Sequence, residues 1–165
     1  MNVTADSPRT RHLPKGIAIA LCGGGLLLLP TAAQATPPSG LTGTVLATGT
    51  MTDPVEIRTK GPTDFVFQLV TIVPGGTSGW HYHPGNVLVV VSHGTVTRTD
   101  SDCNSVSYSA GQSFVEPGGP HHVHRGSNFG KEPTELYLTY VNAAGGPLSV
   151  DQPDPGCGDR RAVRP

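Results

Sequence analysis

Short apolar runs separated by turn residues extend along most of the chain. Phe65 to Val73 is the longest run, and Pro74 with the two glycines after it ends it. Val87 to Val91 is almost wholly apolar, as expected for a strand buried on both faces, whereas Thr95 to Thr99 alternates with the period of a half-buried strand. Many short strands joined by Gly and Pro turns are typical of β-sandwiches and closed barrels, so the pattern predicts an all-β fold.

Other segments show the same strand pattern at shorter length. They are Val45 to Ala47, Val55 to Arg58, Trp80 to His83, Val106 to Tyr108, Ser113 to Val115, His122 to His124 and Leu136 to Val141. The composition agrees with this prediction, because 22 glycines and 16 prolines supply many turns. The sequence contains no helical run of useful length.

The first 35 residues have the order of a secretory signal peptide. Cationic residues precede an apolar stretch from Gly16 to Leu29, and Ala33-Gln34-Ala35 supplies a small-x-small cleavage pattern. A transmembrane anchor is the alternative, but the stretch is short for a span and contains three consecutive glycines. We therefore predict cleavage after Ala35 and an extracellular protein. Residues 36–40 would form a flexible leader, 41–145 a barrel domain and 146–165 a C-terminal tail.

Charge and motif content exclude several classes of function. Only 14% of the residues are charged, the net charge is −1, and no basic stripe is present, so we expect no nucleic-acid partner. Phosphate loops, nucleotide fingerprints and a Ser-His-Asp order are also absent from the sequence. We expect a small-molecule ligand and no membrane association after signal cleavage. The oligomeric state stays open, with a homodimer as one option.

Two cysteines, Cys103 and Cys157, remain in the predicted mature chain. An even count in an exported protein favours one disulfide, which would fasten the tail to the barrel. Two unrelated free thiols are the alternative. A zinc site is disfavoured, because neither cysteine has a C-x-x-C partner.

Five of the seven histidines fall in two short clusters. His81 and His83 are two residues apart, so they point to one face of a strand but would diverge on a helix. In the second cluster His122 and His124 share a face, and His121 points the other way. Neutral imidazoles are good ligands of zinc, copper, iron and nickel. The clusters therefore favour a metal site over the alternative of ordinary surface histidines.

The histidine clusters and the glycines around them resemble the two motifs of the cupin family. The first motif, G-x5-H-x-H-x3-E-x6-G, is matched by Gly75, His81, His83 and Gly94. The second motif, G-x5-P-x-G-x2-H-x3-N, is matched by Gly111, Pro117, Gly119 and His122. The resemblance covers residues 41–145 and implies a double-stranded β-helix, a jelly-roll barrel with the metal inside. An open sandwich without a lumen is the alternative fold.

On this resemblance, His81, His83 and His122 would hold one divalent ion: Zn, Mn, Fe, Ni or Cu. Val87 stands where the family has its glutamate ligand, which leaves a neutral three-histidine set. Alternatively, metal binding has been lost.

Two further residues are candidates for the vacated ligand position, His124 and Gln68. Glu116, just before the turn at Pro117, is expected at the rim of the barrel. The second motif also departs from the family, because its closing asparagine position holds Gly126 and an asparagine follows only at Asn128.

The residues around the predicted site leave two kinds of function open. Val87 and Val89 should line the lumen and suit a ligand with an apolar body. Trp80 and Tyr82 flank His81 and alternate away from the metal face, so they would pack outward or form a stacking platform for a sugar or aromatic ligand. One hypothesis is a metal-dependent oxygenase, isomerase or lyase acting on a small anionic molecule. The other is a non-catalytic module that binds a metal, a sugar or another small ligand.

Overall fold

The structure is a computed structural model that describes residues 39–157. The predicted signal peptide and most of the leader lie outside these residues. The chain divides into a first unit, Met1–Leu41, of which residues 39–41 are described, and a second unit that begins at Thr42 and holds all the strands. Residues 39–157 contain no helix that could span a membrane.

Nine strands build the second unit over its described residues, 42–157. They are β1 Thr63–Ile72, β2 His81–Tyr82, β3 Asn86–His93, β4 Thr95–Asp100, β5 Ser105–Ser109, β6 Ser113–Glu116, β7 His124–Ser127, β8 Thr134–Ala143 and β9 Val150–Asp151. One antiparallel sheet has the order β1-β8-β3-β6, and the other has the order β5-β4-β7-β2-β9. These two sheets form the double-stranded β-helix that the sequence predicts, and the described residues include no helix.

The core lies between the two sheets and is supplied mainly by β3 and β8. Val87, Val89 and Val91 are fully buried, as expected from an apolar strand in the middle of a sheet. They pack against alternate residues of β8, Leu136, Leu138 and Tyr140. Burial of these side chains supplies most of the driving force for closing one sheet over the other.

Two segments predicted as strands, 45–47 and 55–58, are irregular. Neither has a strand partner among the described residues, and Val45 and Leu46 are 79% and 71% exposed. The outer face of β1 is also exposed, because Phe65 and Phe67 point away from the core. The strand predicted at His122 to His124 begins only at His124, which changes the position of the histidines.

The C-terminal segment returns across the second sheet. The structure joins Cys103, between β4 and β5, to Cys157, as the cysteine count predicts. The predicted tail from residue 146 therefore includes a strand, because β9 pairs with β2 through His81 opposite Asp151. The two chain ends of this segment are fixed by the end of β8 and by the disulfide.

Candidate metal centre

Three histidines lie close together on the buried face of the second sheet. His81 lies on β2 directly opposite His124 on β7, and His83 follows β2 on the same side as His81. The ring centroids of His81 and His124 are 4.6 Å apart, and that of His83 lies 4.8 Å from His81 and 5.2 Å from His124. All three residues are buried. One ring nitrogen of each lies within 4.8 Å of the others, so the three could hold a metal ion.

Backbone carbonyls fix the orientation of the three rings. The Nδ1 atoms of His81, His83 and His124 donate to the carbonyl oxygens of Gly79, Leu148 and His122 at 3.0, 2.7 and 2.8 Å. Because a carbonyl oxygen can only accept, each Nδ1 carries the proton, and in the neutral ring Nε2 keeps its lone pair. Histidines that bind a metal through Nε2 usually donate a hydrogen bond from Nδ1 in this way.

Glu116 faces the histidines from the other sheet. Its Oε2 lies 3.0 Å from Nε2 of His83, and its Oε1 lies 3.0 Å from Nε2 of His124. The expectation that Glu116 sits at the rim is wrong, because it is the last residue of β6 and is 8% exposed. The pairing of β6 with β3 turns its side chain into the interior.

The surroundings of the site shift two pKa values. Burial by itself raises the pKa of Glu116, but the contacts and charges of His124 and His83 outweigh burial and hold that pKa well below its usual 4.5. Burial lowers the pKa of His81 from 6.5, and the neighbouring His124 and His83 lower it further, against the hydrogen bond to Gly79. The site therefore favours an ionised carboxylate beside a neutral His81.

This donor set suits a divalent transition metal. Nε2 of His124 has no hydrogen bond of good geometry among the described residues, although Glu116 lies close to it. The Nε2 atoms of His83 and His124 each lie 3.0 Å from an oxygen of the ionised Glu116 carboxylate. Lone pairs on both nitrogens would be repelled by the carboxylate, so a proton or a metal ion is needed between each nitrogen and the carboxylate. Imidazole and carboxylate are ligands that zinc, manganese, iron, nickel and copper all accept.

His122 does not reach the cluster. The structure places it exposed, two residues before β7, beside His121 and away from His81. His124 takes the position that the sequence assigned to His122, and His122 contributes only its carbonyl oxygen, which orients the His124 ring. The turn after Pro117 is two residues longer than the motif assumes, so counting from the turn stops short of the strand.

Asn128 provides the spacing that identifies His124. It lies four residues after His124, which is the H-x3-N spacing of the second motif. Its side chain is 1% exposed, donates to the carbonyls of Ile72 and Glu132, and accepts from Gly130. Asn128 therefore closes the loop after β7, and counting backwards from it would have selected the histidine that joins the cluster.

Gln68 also lies apart from the histidine cluster. It is exposed on β1 and accepts a hydrogen bond from the Tyr140 hydroxyl at 2.8 Å. The Tyr140 ring is edge-on to His83 at 5.5 Å between centroids. Gln68 is thus connected to the site through Tyr140.

The two aromatic residues beside His81 have different surroundings. Trp80 is 8% exposed and packs under the Arg125 guanidinium, 5.0 Å from the ring centroid. This burial leaves Trp80 no accessible ring face for stacking a sugar, so outward packing is the role the structure supports. Tyr82 is half-buried on β2.

A cavity of about 190 Å³ opens beside the histidines. It is bordered by His81, His83, Glu116 and the predicted lining residue Val89, whereas Val87 is a buried core residue and does not line it. Its exposed border consists of Ser78, Ser149 and Asp151, the last two from the C-terminal segment.

The comparisons with known proteins identify one family. A family model described as a cupin domain matches residues 68–140. A search of curated proteins finds no match.

Several solved structures resemble the chain. A conserved protein of unknown function from Streptococcus pyogenes is 23% identical with a TM-score of 0.44, covering 50% of this chain and 68% of that one. A protein with a double-stranded β-helix domain from Klebsiella pneumoniae is 21% identical with a TM-score of 0.46, covering 53% and 70%. A sugar phosphate isomerase of the cupin superfamily from Silicibacter pomeroyi is 23% identical with a TM-score of 0.44, covering 48% and 51%.

Proposed function

This chain belongs to the cupin superfamily, and we propose that it is an exported protein that binds one divalent transition-metal ion through His81, His83 and His124. The observation that carries the proposal is the shared orientation of the three rings. Each Nδ1 donates to a backbone carbonyl, so in its neutral form each ring presents the Nε2 lone pair to an ion inside a buried site. Export is supported by the signal-like first 35 residues and by the Cys103–Cys157 disulfide.

Glu116 is the fourth ligand in this proposal. It stands within hydrogen-bond distance of two of the three histidines and is held in its ionised form. A site of three imidazoles and one carboxylate accepts Zn, Mn, Fe, Ni or Cu, and the identity of the ion depends on supply as much as on affinity.

The cavity beside the histidines supports a small-molecule ligand. A bound divalent ion would act as a Lewis acid toward an oxygen atom of that ligand. Glu116 would offset part of the charge of the ion, and the apolar wall around Val89 would exclude water from the rest of the ligand. The cavity argues against a purely structural ion, which needs no space at its side, and supports either a metal-dependent enzyme or a module that binds a small ligand.

Metal analysis of the purified mature protein tests the proposal. We expect about one equivalent of metal in the wild type, and a large loss in His81→Ala because one of three imidazole ligands is missing. His93→Ala is the matched control, since His93 lies at the exposed end of β3 and its Nδ1 donates to the carbonyl of Pro133. Equal, substoichiometric metal in all three proteins would reject the proposal.

Turnover separates the enzyme from a binding module. A screen of small carboxylates, catechols and sugars by thermal shift, with and without metal, would first identify ligands. We expect metal-dependent stabilisation, followed by turnover that is lost in His83→Ala. Ligand binding that survives both chelation and the His83 substitution would leave a non-catalytic binding module.

A further inference from the structure

Most of the cavity wall is apolar. The apolar side chains that line it are Val70, Ile72, Val89, Val96, Phe114, Leu136 and Leu138. Its volume of about 190 Å³ is below the ~300–1,000 Å³ typical of pockets for drug-sized ligands. The cavity therefore suits a small ligand with a compact apolar body.

One cationic side chain lines this cavity, Arg98 on β4. Val96 and Arg98 are two residues apart on β4, so both side chains lie on the same face of the strand and point into the interior. Directly opposite Arg98 on β7 stands Gly126, which also lines the cavity. Gly126 adds no side chain to this part of the wall, and a Cβ atom there would lie 3.4 Å from Val96 Cγ2 and 3.7 Å from Ser78 Oγ.

The Arg98 guanidinium has an unsatisfied donor. Its Nε is buried and has no hydrogen-bond partner among the described residues. Glu116 Oε1 is 3.8 Å from this Nε, which is too long for a hydrogen bond. A buried donor without an acceptor costs about 1–3 kcal/mol, more for a charged group, and such groups in native proteins are usually explained by a water or a ligand.

Charge balance favours an anion as that ligand. The side chains lining the cavity that carry a charge near neutral pH, apart from the histidines, are Glu116, Arg98 and the exposed Asp151. With the divalent ion of the proposed function, the charges of +2, −1, +1 and −1 leave the site at +1. A monoanion would neutralise it, and a carboxylate matches the planar pair of donors that arginine offers.

We infer that the cavity takes a small carboxylate with an apolar body, and that Arg98 is the residue that recognises the carboxylate group. This inference rests on the proposed function in one respect, because the bound metal supplies part of the positive charge that attracts the carboxylate. Arg98 is not among the metal ligands, so its contribution can be measured separately from metal binding.

The experiment compares carboxylates with their neutral amides. Isothermal titration measures the Kd of isobutyrate and benzoate, and of isobutyramide and benzamide, on zinc-loaded and on chelated protein. We expect the wild type to prefer the acids, and Arg98→Gln to lose about 10-fold or more of that preference, the effect of one charge-assisted hydrogen bond. Zinc content should stay the same in the variant.

Two controls separate Arg98 from general charge effects. Arg58→Gln removes the same charge from an exposed side chain, whose ion-pair partner is Glu56, and should keep the full preference. Arg98→Lys keeps the charge without the planar donor pair and should retain part of it. If Arg98→Gln does not fold, an NMR titration of the wild type tests the inference instead. The Nε–H resonance of Arg98 should shift on addition of the acids and should not shift on addition of the amides.

The outcomes assign failure to one proposal or the other. A wild-type protein that binds zinc but shows no preference for acids overturns the inference, and so does a preference that Arg98→Gln retains. A protein without zinc that still shows an Arg98-dependent preference overturns the proposed function and leaves the carboxylate site standing.

Discussion

Val87 and Glu116 lie directly opposite each other on β3 and β6, with both side chains buried in the interior. On the resemblance to the cupin motif, Val87 would stand at the position of the glutamate ligand. Residues that face each other across an antiparallel pair have their Cβ atoms about 5 Å apart. A carboxylate on β6 can therefore reach the histidines in place of one on the neighbouring strand β3.

A carboxylate exchange between the two strands tests this relationship. We expect Glu116→Gln to weaken metal binding by at least about 10–100-fold, the range for lost groups that only support a ligand. Adding Val87→Glu to that variant returns a carboxylate at the neighbouring position and should recover much of the affinity. Competition with a chromogenic chelator measures both Kd values. Unchanged affinity in Glu116→Gln would show that Glu116 is not a ligand.

The fold could be predicted from the sequence because its determinants are local. Alternation in β4, the apolar run of β3 and the Gly and Pro turns each depend on neighbouring residues. The prediction of a strand at 55–58 was wrong because strand formation also requires a neighbouring strand, which local alternation does not reveal. Val55 and Ile57 alternate with polar residues as a strand would, but no partner strand lies beside them among the described residues.

The site could be predicted only in part, because its register is not local. His81 and His83 share a strand face by spacing alone, whereas the choice between His122 and His124 depends on the length of the preceding turn. The contribution of Glu116 depends on which residue of β3 it faces, and β3 and β6 are separated by two other strands along the chain. A one-residue change in register would turn Glu116 away from the interior.

His122 and His124 of the second cluster form a matched pair for substitution. His124→Ala should reduce the metal content sharply, because it removes a buried ligand, while His122→Ala should leave it near the wild-type level. His122 acts through its backbone carbonyl, which the substitution keeps. Metal analysis and thermal unfolding of both variants check the prediction. A loss of metal in His122→Ala alone would restore the motif-based assignment.

The disulfide should affect both stability and the site. Replacing Cys103 and Cys157 with serine opens a loop with a sequence separation of 54, which the chain-entropy model values at about 4 kcal/mol of unfolding free energy. The released segment includes Leu148, whose carbonyl orients His83, so metal affinity should also fall. Denaturant unfolding and metal titration measure the two effects.

A control separates these effects of the disulfide. Asn142 Nδ2 donates to the Pro147 carbonyl outside the site, so Asn142→Ala should loosen the start of the segment while the disulfide stays intact. Metal affinity that is identical with and without the disulfide would mean that β9 holds its position by strand pairing alone.

Tyr140 should report the charge of Glu116. Burial raises the pKa of Tyr140 from 10.0 to about 12, and the negative charge of Glu116 adds to this effect. A tyrosine whose pKa is raised on folding contributes stability that is complete below pH 10 and is lost as the pH rises through about 12. The absorbance of tyrosinate should therefore include a late component that disappears in Tyr140→Phe.

The same titration tests whether Glu116 becomes neutralised. Glu116→Gln removes the negative charge, so the late component should move to lower pH. Saturation with zinc should move it in the same direction in the wild type, because a ligand carboxylate shares its charge with the ion. Readings count only where circular dichroism shows the fold intact. A midpoint that rises in Glu116→Gln would contradict the effect of the Glu116 charge on Tyr140. A midpoint that zinc leaves unchanged in the wild type while binding in full would place the ion away from Glu116.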